Sequence, residues 1–180
     1  MNCPDEAFIM IQAIGTFYRT SLSDGKTLIP LEQEITNIEN YIKIQKVRYG
    51  NKIEYEIDIE NEILQEWIVK LTLQPLIENS IYHGIKEMRG KGIIRIKGWK
   101  EKNKVFIQVS DNGLGIPEEE LEELFSKDYR EKGSAFGLFN IQQRLQIYFG
   151  KEYGLTVESK LSQGTKATVC IPVDFKERRG

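Results

Sequence analysis

The spacing of apolar positions changes period several times along this chain, and each change marks an element. From about Pro4 to Tyr49 the spacing is helical, broken by a turn at Ser23-Asp24-Gly25-Lys26 ahead of Pro30. Within it Leu31, Ile35, Ile38, Ile42, Gln45 and Tyr49 step by fours and threes, a narrow seam suited to helix packing. The first expectation is a bundle with another protomer, and the alternative is a helix lying on the domain that follows. At Ile53 the period becomes two. Ile53, Tyr55, Ile57 and Ile59 alternate with Glu54, Glu56, Asp58 and Glu60, a strand with one acidic, solvated face.

Leu73, Leu76, Ile77, Ser80, Ile81 and Gly84 return to helical steps and predict a helix over 73–84, with Glu78, Asn79, Tyr82 and His83 outside its buried stripe. Strands follow near Gly92 to Trp99 and Lys104 to Ser110. A short helix then opens with Pro117 and three glutamates, a start that the helix dipole favours. A helix from Gly137 carrying Leu138, Ile141, Leu145, Tyr148 and Phe149 precedes two final strands, the second over Lys166 to Pro172. Adjacent strands joined by short turns imply an α+β fold: a two-layer sandwich of a mixed, mainly antiparallel sheet with helices on one face.

Composition adds exclusions. A chain of 180 residues with 40% apolar and 29% charged residues and a net charge of -2 predicts one or two soluble globular domains without a nucleic-acid footprint. No apolar run reaches membrane-spanning length, and no signal peptide is visible. Cys3 and Cys170 lie far apart without metal-type spacing, which suits reduced thiols.

The candidate chemistry lies in three segments. Asn79 and His83, four apart, share one side of their helix, and an amide oxygen is a hard, neutral ligand suited to Mg2+. Alone, such an asparagine is better explained as solvated or capping. Asp111-Asn-Gly-Leu-Gly-Ile-Pro117 follows a strand, and a carboxylate there can accept from an exocyclic amine such as adenine's, while the glycines let backbone approach a flat ligand. Alone, Asp-Asn-Gly is a hairpin turn signal. Lys132 to Asn140 is a glycine-bearing loop running into a helix, an anion site for which a triphosphate is the expected occupant. In this order, with Gly164-Thr165 leading into the last strand, they point to an ATP site without a Walker loop.

On these residues the chain resembles the sensor histidine kinases of the LytS/YesM type, in the ATPase superfamily that includes type II topoisomerases and mismatch-repair ATPases. Glu78-Asn79 with His83-Gly84 is similar to that family's N box, Asp111 to Gly115 to its first glycine box, and Gly133 to Asn140 to its second. Tyr41 to Tyr49 is similar to the stretch linking its dimerisation helices to the ATP domain. The resemblance implies a Bergerat-type ATP-binding fold. Residues 1–50 would be a partial helical dimerisation region, 51–175 the catalytic domain, and 176–180 a basic tail.

The resemblance also implies roles. Asp111 would accept from the adenine amine, Gly113 and Gly115 would shape the pocket, and Ile116 and Leu138 would join the ATP-binding set. Asn79 would hold Mg2+ between phosphates. Gly133 and Gly137 would belong to a mobile lid, on which Lys132 and Arg130 either touch phosphate or are simply solvated, and Thr165 would support adenine or serve as an ordinary strand threonine. Glu78 either orients or deprotonates an incoming imidazole or pairs with a surface cation. His83 lines the pocket or is structural; sharing a helix with the metal ligand, it is poorly placed as a phosphoacceptor.

The activity implied is transfer of the ATP γ-phosphoryl group to a dimerisation-domain histidine, for relay to a response-regulator aspartate. The setting implied is the cytoplasmic portion of a membrane-bound, homodimeric bacterial sensor. No histidine precedes residue 83, so the expectation is a chain truncated after the acceptor motif, with an artificial Met1 and no autophosphorylation. Two residues depart from the family pattern: Ala135 replaces the usual middle glycine of the second box, and Phe139 is bulkier than usual. Pro75 occupies the position where hydrolytic relatives place a water-activating glutamate, so slow hydrolysis is expected. The alternative is a nucleotide-binding regulatory module or superfamily ATPase without histidine phosphotransfer, with Ala135 the mark of lost transfer chemistry.

Overall fold

A computed structural model describes residues 26–124 and 136–175. The first part of the N-terminal helical stretch, its turn through Gly25, Arg130, Lys132, Gly133, Ala135 and the basic tail lie outside the described residues.

Strand β1 (Leu28–Pro30) runs directly into helix α1 (Leu31–Tyr49). Pro30 adopts an extended conformation at the helix start, Glu32 and Glu34 occupy the first turn, and Lys46 and Arg48 the last, each matching the helix dipole. Gly50 ends the helix at φ 59°, its amide donating to the Lys46 carbonyl. Strand β2 (Ile53–Ile59) follows, then β3 (Trp67–Val69), which pairs antiparallel with β1. Helix α2 (Gln74–Asn79) carries Pro75 in its first turn and widens at Ser80–Ile85 into a π-turn. Strands β4 (Gly92–Glu101) and β5 (Lys104–Asp111), helices α3 (Glu118–Glu123) and α4 (Phe136–Phe149), and strands β6 (Gly154–Lys160) and β7 (Gly164–Pro172) complete the order.

The main sheet runs β2-β4-β5-β7-β6, parallel only between β2 and β4. That parallel pair requires a crossover, which β3, α2 and the π-turn provide. One face buries Ile94, Ile96, Val105, Ile107, Val109, Val169 and Ile171 in a core shared with the helices. The acidic side of β2 faces outward as the alternation predicts, and Arg95 on β4 donates to its register partner Glu56 at 2.8 Å.

Two features differ from the sequence expectation. The seam of α1 is not free for a second protomer: Leu31, Ile38 and Ile42 are at most 1% exposed and belong to this chain's own core. The helix is locked there by Glu34, whose carboxylate accepts from the amides of Leu71, Thr72 and Leu73 ahead of α2. The helix expected over 73–84 is α-helical only to Asn79. Beyond it the turn widens, with the Lys86 amide donating to the Ile81 carbonyl at 2.8 Å, and Gly84 offers little helical preference to resist this. No helix among the described residues is long and apolar enough to cross a membrane.

If α1 is part of this domain's core, Ile42→Ala lowers the unfolding free energy by about 2–5 kcal/mol. Denaturant titration of the chain checks this; a change below about 0.5 kcal/mol would return α1 to the surface.

Candidate functional site

The ends of β5 and β7 meet the π-turn at Asp111, and the site is built outward from that carboxylate. Its Oδ2 accepts from the Ser80 hydroxyl at 2.8 Å, and its Oδ1 accepts from the Gly113 amide at 2.8 Å. The Thr165 amide donates to it as well. Burial pushes the Asp111 carboxyl above the ordinary carboxylate range, and these three donors hold it partly down.

The loop after Asp111 is pinned on both sides. Asn112 accepts from the Ile93 amide at 2.7 Å and donates to the Lys91 carbonyl, tying the loop to β4. The Leu114 amide donates to the Gly84 carbonyl at 3.0 Å, and the Ile116 amide to the Ser159 hydroxyl at 2.8 Å. Gly113 lies so close to the Gly84 backbone that a Cβ there would collide with main chain, and Gly115 adopts φ 71° against the Lys160 carbonyl. The two glycines are thus required by close approach and by dihedral respectively.

Above Asp111 opens a cavity of about 260 Å3. Leu76, Val109, Ile116, Leu138, Val157 and Ala167 supply apolar walls, while Asn79, Ser80, His83, Glu120 and Thr165 bring polar groups to it. That is slightly smaller than the ~300–1,000 Å3 of pockets for drug-sized ligands, which suits one flat heterocycle with its substituents directed outward. A carboxylate at the base of apolar walls selects a ligand edge that carries a donor.

Of the residues expected at the site, Asn79, His83, Asp111, Gly115, Ile116, Leu138 and Thr165 line this cavity. Gly113 lies behind it against Gly84. Gly137, at the exposed start of α4, faces Pro75, whose Cβ lies 3.9 Å from the position a Gly137 Cβ would take. Glu78 points elsewhere. It accepts from Gln74 at 2.8 Å and lies beside Tyr41 of α1, whose hydroxyl burial and then the Glu78 charge push above its ordinary range. Ser80, Val109, Val157 and Ala167 were not anticipated. Ser80 carried a signal, being a hydroxyl in an otherwise apolar stripe, whereas the other three differ in no way from ordinary core positions.

A family model described as "Histidine kinase-, DNA gyrase B-, and HSP90-like ATPase" matches residues 68–174, which hold every cavity-lining residue named above. The chain belongs to that ATPase family. A second model, "Histidine kinase", matches residues 1–53. The chain is 33% identical over 163 residues to sensor histidine kinase YesM of Bacillus subtilis, covering 91% of this chain and 27% of the relative. It is 33% identical over 170 residues to sensor protein LytS of Bacillus cereus, covering 93% of this chain and 29% of the relative. The chain thus spans little more than a quarter of those relatives' length. Among solved structures, the catalytic domain of histidine kinase ThkA matches with TM-score 0.62 and 21% identity, covering 82% of this chain and 99% of that one. The histidine kinase domain of the Erythrobacter litoralis blue-light activated kinase matches with TM-score 0.59 and 17% identity, covering 93% and 75%. Both bear out the mixed sheet with helices on one face. Residues 68–174 are therefore an ATP-binding catalytic domain of the histidine-kinase kind.

In this ATPase domain the ionised Asp111 lowers stability. Its folded pKa lies above its unfolded one, so stability falls as pH rises from the ordinary carboxylate range through the raised value. Asp111→Asn lacks that dependence, and the similarly raised Glu34 is common to both chains. The stability of the unaltered chain minus that of the variant should decline as pH rises through this window and level off above it. Denaturant titrations from about pH 4 upward, continued until the difference is level, measure it. A difference that climbs with pH would contradict the burial account.

Proposed function

We propose that this chain is the phosphoryl-donor part of a sensor histidine protein kinase, transferring the ATP γ-phosphoryl group to a histidine outside this chain for relay to a response-regulator aspartate. The observation that carries the proposal is Asp111, a half-buried carboxylate with three protein donors at the base of an apolar cavity. Adenine presents an exocyclic amine to such a group. Leu76, Val109, Ile116 and Leu138 bury the ring faces, and Thr165, on the strand beside Asp111, supports its edge.

Asn79 lies at the same cavity wall, and its amide hydrogen-bonds to none of the described residues. A divalent ion here would be held by the Asn79 oxygen together with the phosphates, which fits Mg2+ and its preference for few protein ligands. When bound, Mg2+ shields charge on the transferring group. Lys132, Gly133 and Gly137 would close over the phosphates.

Pro75, one turn before Asn79, has no group able to activate water, and it lies against Gly137. This favours a donor that holds its nucleotide for an external acceptor over a rapid hydrolase. Glu78 accepts from Gln74, and its charge is felt by Tyr41 of α1; it would orient or deprotonate the incoming imidazole, or serve as an ion-pair partner at the surface. The full protein would be a homodimeric, membrane-bound sensor, with this chain in its cytoplasmic portion.

Calorimetric ATP titration with and without Mg2+ tests the site. Asp111→Asn should weaken binding about ten-fold or more in both conditions, since a charged acceptor is lost. Asn79→Ala should mainly remove the Mg2+ dependence. Joined to an acceptor histidine segment, the unaltered chain should form an acid-labile, base-stable phosphoryl adduct from γ-labelled ATP. Equal, negligible effects of the two substitutions, or ATP binding without any adduct, would overturn the proposal.

A further inference from the structure

Glu34 is a carboxylate only 1% exposed, and the nucleotide cavity makes no use of it. It sits on α1, yet its oxygens accept from three consecutive amides of another segment: Leu71 at 3.2 Å, Thr72 at 2.9 Å and Leu73 at 3.0 Å. Those amides converge because Leu71 holds φ 58°, a left-handed conformation that residues with side chains adopt only under strain. On the carbonyl side of the same turn, Arg144 of α4 donates to the Lys70 and Leu71 oxygens. One four-residue turn is thus gripped by an anion from α1 and a cation from α4.

The placement of this turn gives the grip a consequence. It leads straight into α2, whose Leu76 and Asn79 line the cavity, and α4 contributes Leu138 to the same lining. Both helices are therefore tethered to residues 70–73. α1 lies in the segment matched by the histidine kinase model, residues 1–53, and the cavity in the segment matched by the ATPase model, residues 68–174. A buried carboxylate held by three amides has few alternative arrangements, since leaving any of them unpaired in the interior is costly.

We propose that Glu34 and Arg144 form a clamp on residues 70–73 that couples occupancy of the nucleotide cavity to the position of α1. The clamp rests on the nucleotide site proposed above. Neither residue touches the ligand; both are positioning residues. Ordering α2 and α4 around ATP fixes the turn, the turn fixes Glu34, and Glu34 fixes α1. By linkage, a shift of α1 alters ATP affinity by the same factor.

Amide hydrogen exchange at saturating ATP and Mg2+ tests the clamp. In the unaltered chain, ATP should slow exchange in α2 and also in α1 over Ile35 to Ile42 by about five-fold or more. In Glu34→Gln, whose amide nitrogen cannot accept from the turn, α2 should still slow at saturating ATP while α1 loses its response. Arg144→Gln should do the same from the opposite side and carries the test should Glu34→Gln fail to fold. A retained α1 response in the folded variants, even with a lowered unfolding temperature, would leave these residues a purely structural role and overturn the clamp. So would an unaltered chain in which α2 slows and α1 does not. Absence of slowing at α2 in the unaltered chain would instead sink the nucleotide site itself.

Discussion

The arrangement of this domain depends on keeping one carboxylate, Asp111, half-buried at the end of a central strand. A carboxylate taken out of water must be given donors, and three are brought from three elements: Ser80 from the π-turn, Gly113 from the loop that follows, and Thr165 from β7. Bringing them together dictates local sequence. Gly113 must lack a side chain to pass the Gly84 backbone, a Cβ on Gly84 would crowd the Asp111 carboxylate, Gly115 takes a positive φ, and the helix through Asn79 widens just where Ser80 reaches Asp111. The donors do not fully offset burial, so the carboxyl stays above its ordinary range. The domain thus gives up some stability to keep a charged acceptor ready for a ligand donor.

A second buried carboxylate, Glu34, plays the complementary part. Asp111 faces a cavity, whereas Glu34 is closed off and satisfied by backbone amides. The first organises ligand contact and the second fixes how the helix preceding the sheet is attached. Glu34 thus joins α1, in the segment matched by one family model, to the turn that leads into the cavity helix, in the segment matched by the other. The orientation of Glu78 follows from the same attachment. With α1 lying alongside α2, one side of α2 faces Tyr41 and the other faces the cavity, so adjacent Glu78 and Asn79 serve different partners.

Much of this was legible in the sequence because periodicity and glycine placement report local constraints. The strand from Ile53, the strands expected over Lys104 to Ser110 and Lys166 to Pro172, and the cavity residues Asn79, Asp111 and Thr165 all follow from local pattern or from motif resemblance. Strands β1 and β3 did not, because three residues each, one of them Pro30, are too few to show a period. The partner of the α1 seam was ambiguous because any apolar surface satisfies a seam. Glu34 was illegible for a related reason: between Glu32 and Glu39 it looks like one more charge on a solvated first turn. Only the fold shows three amides waiting for it. Val109, Val157 and Ala167 line the cavity with side chains that would suit any core, so their function lies in where the sheet puts them.

The central claim is that the Asp111 cavity reads the amine edge of adenine. Competition calorimetry of ATP against GTP on the unaltered chain tests it most directly, because the two share phosphates and ribose and differ in the base. GTP presents a carbonyl oxygen where adenine presents its amine, and a carboxylate cannot donate to it. The account predicts that ATP binds and that GTP fails to displace it at equal concentration. Equal affinity for the two nucleotides would show that phosphate contacts alone hold the ligand, and would contradict it.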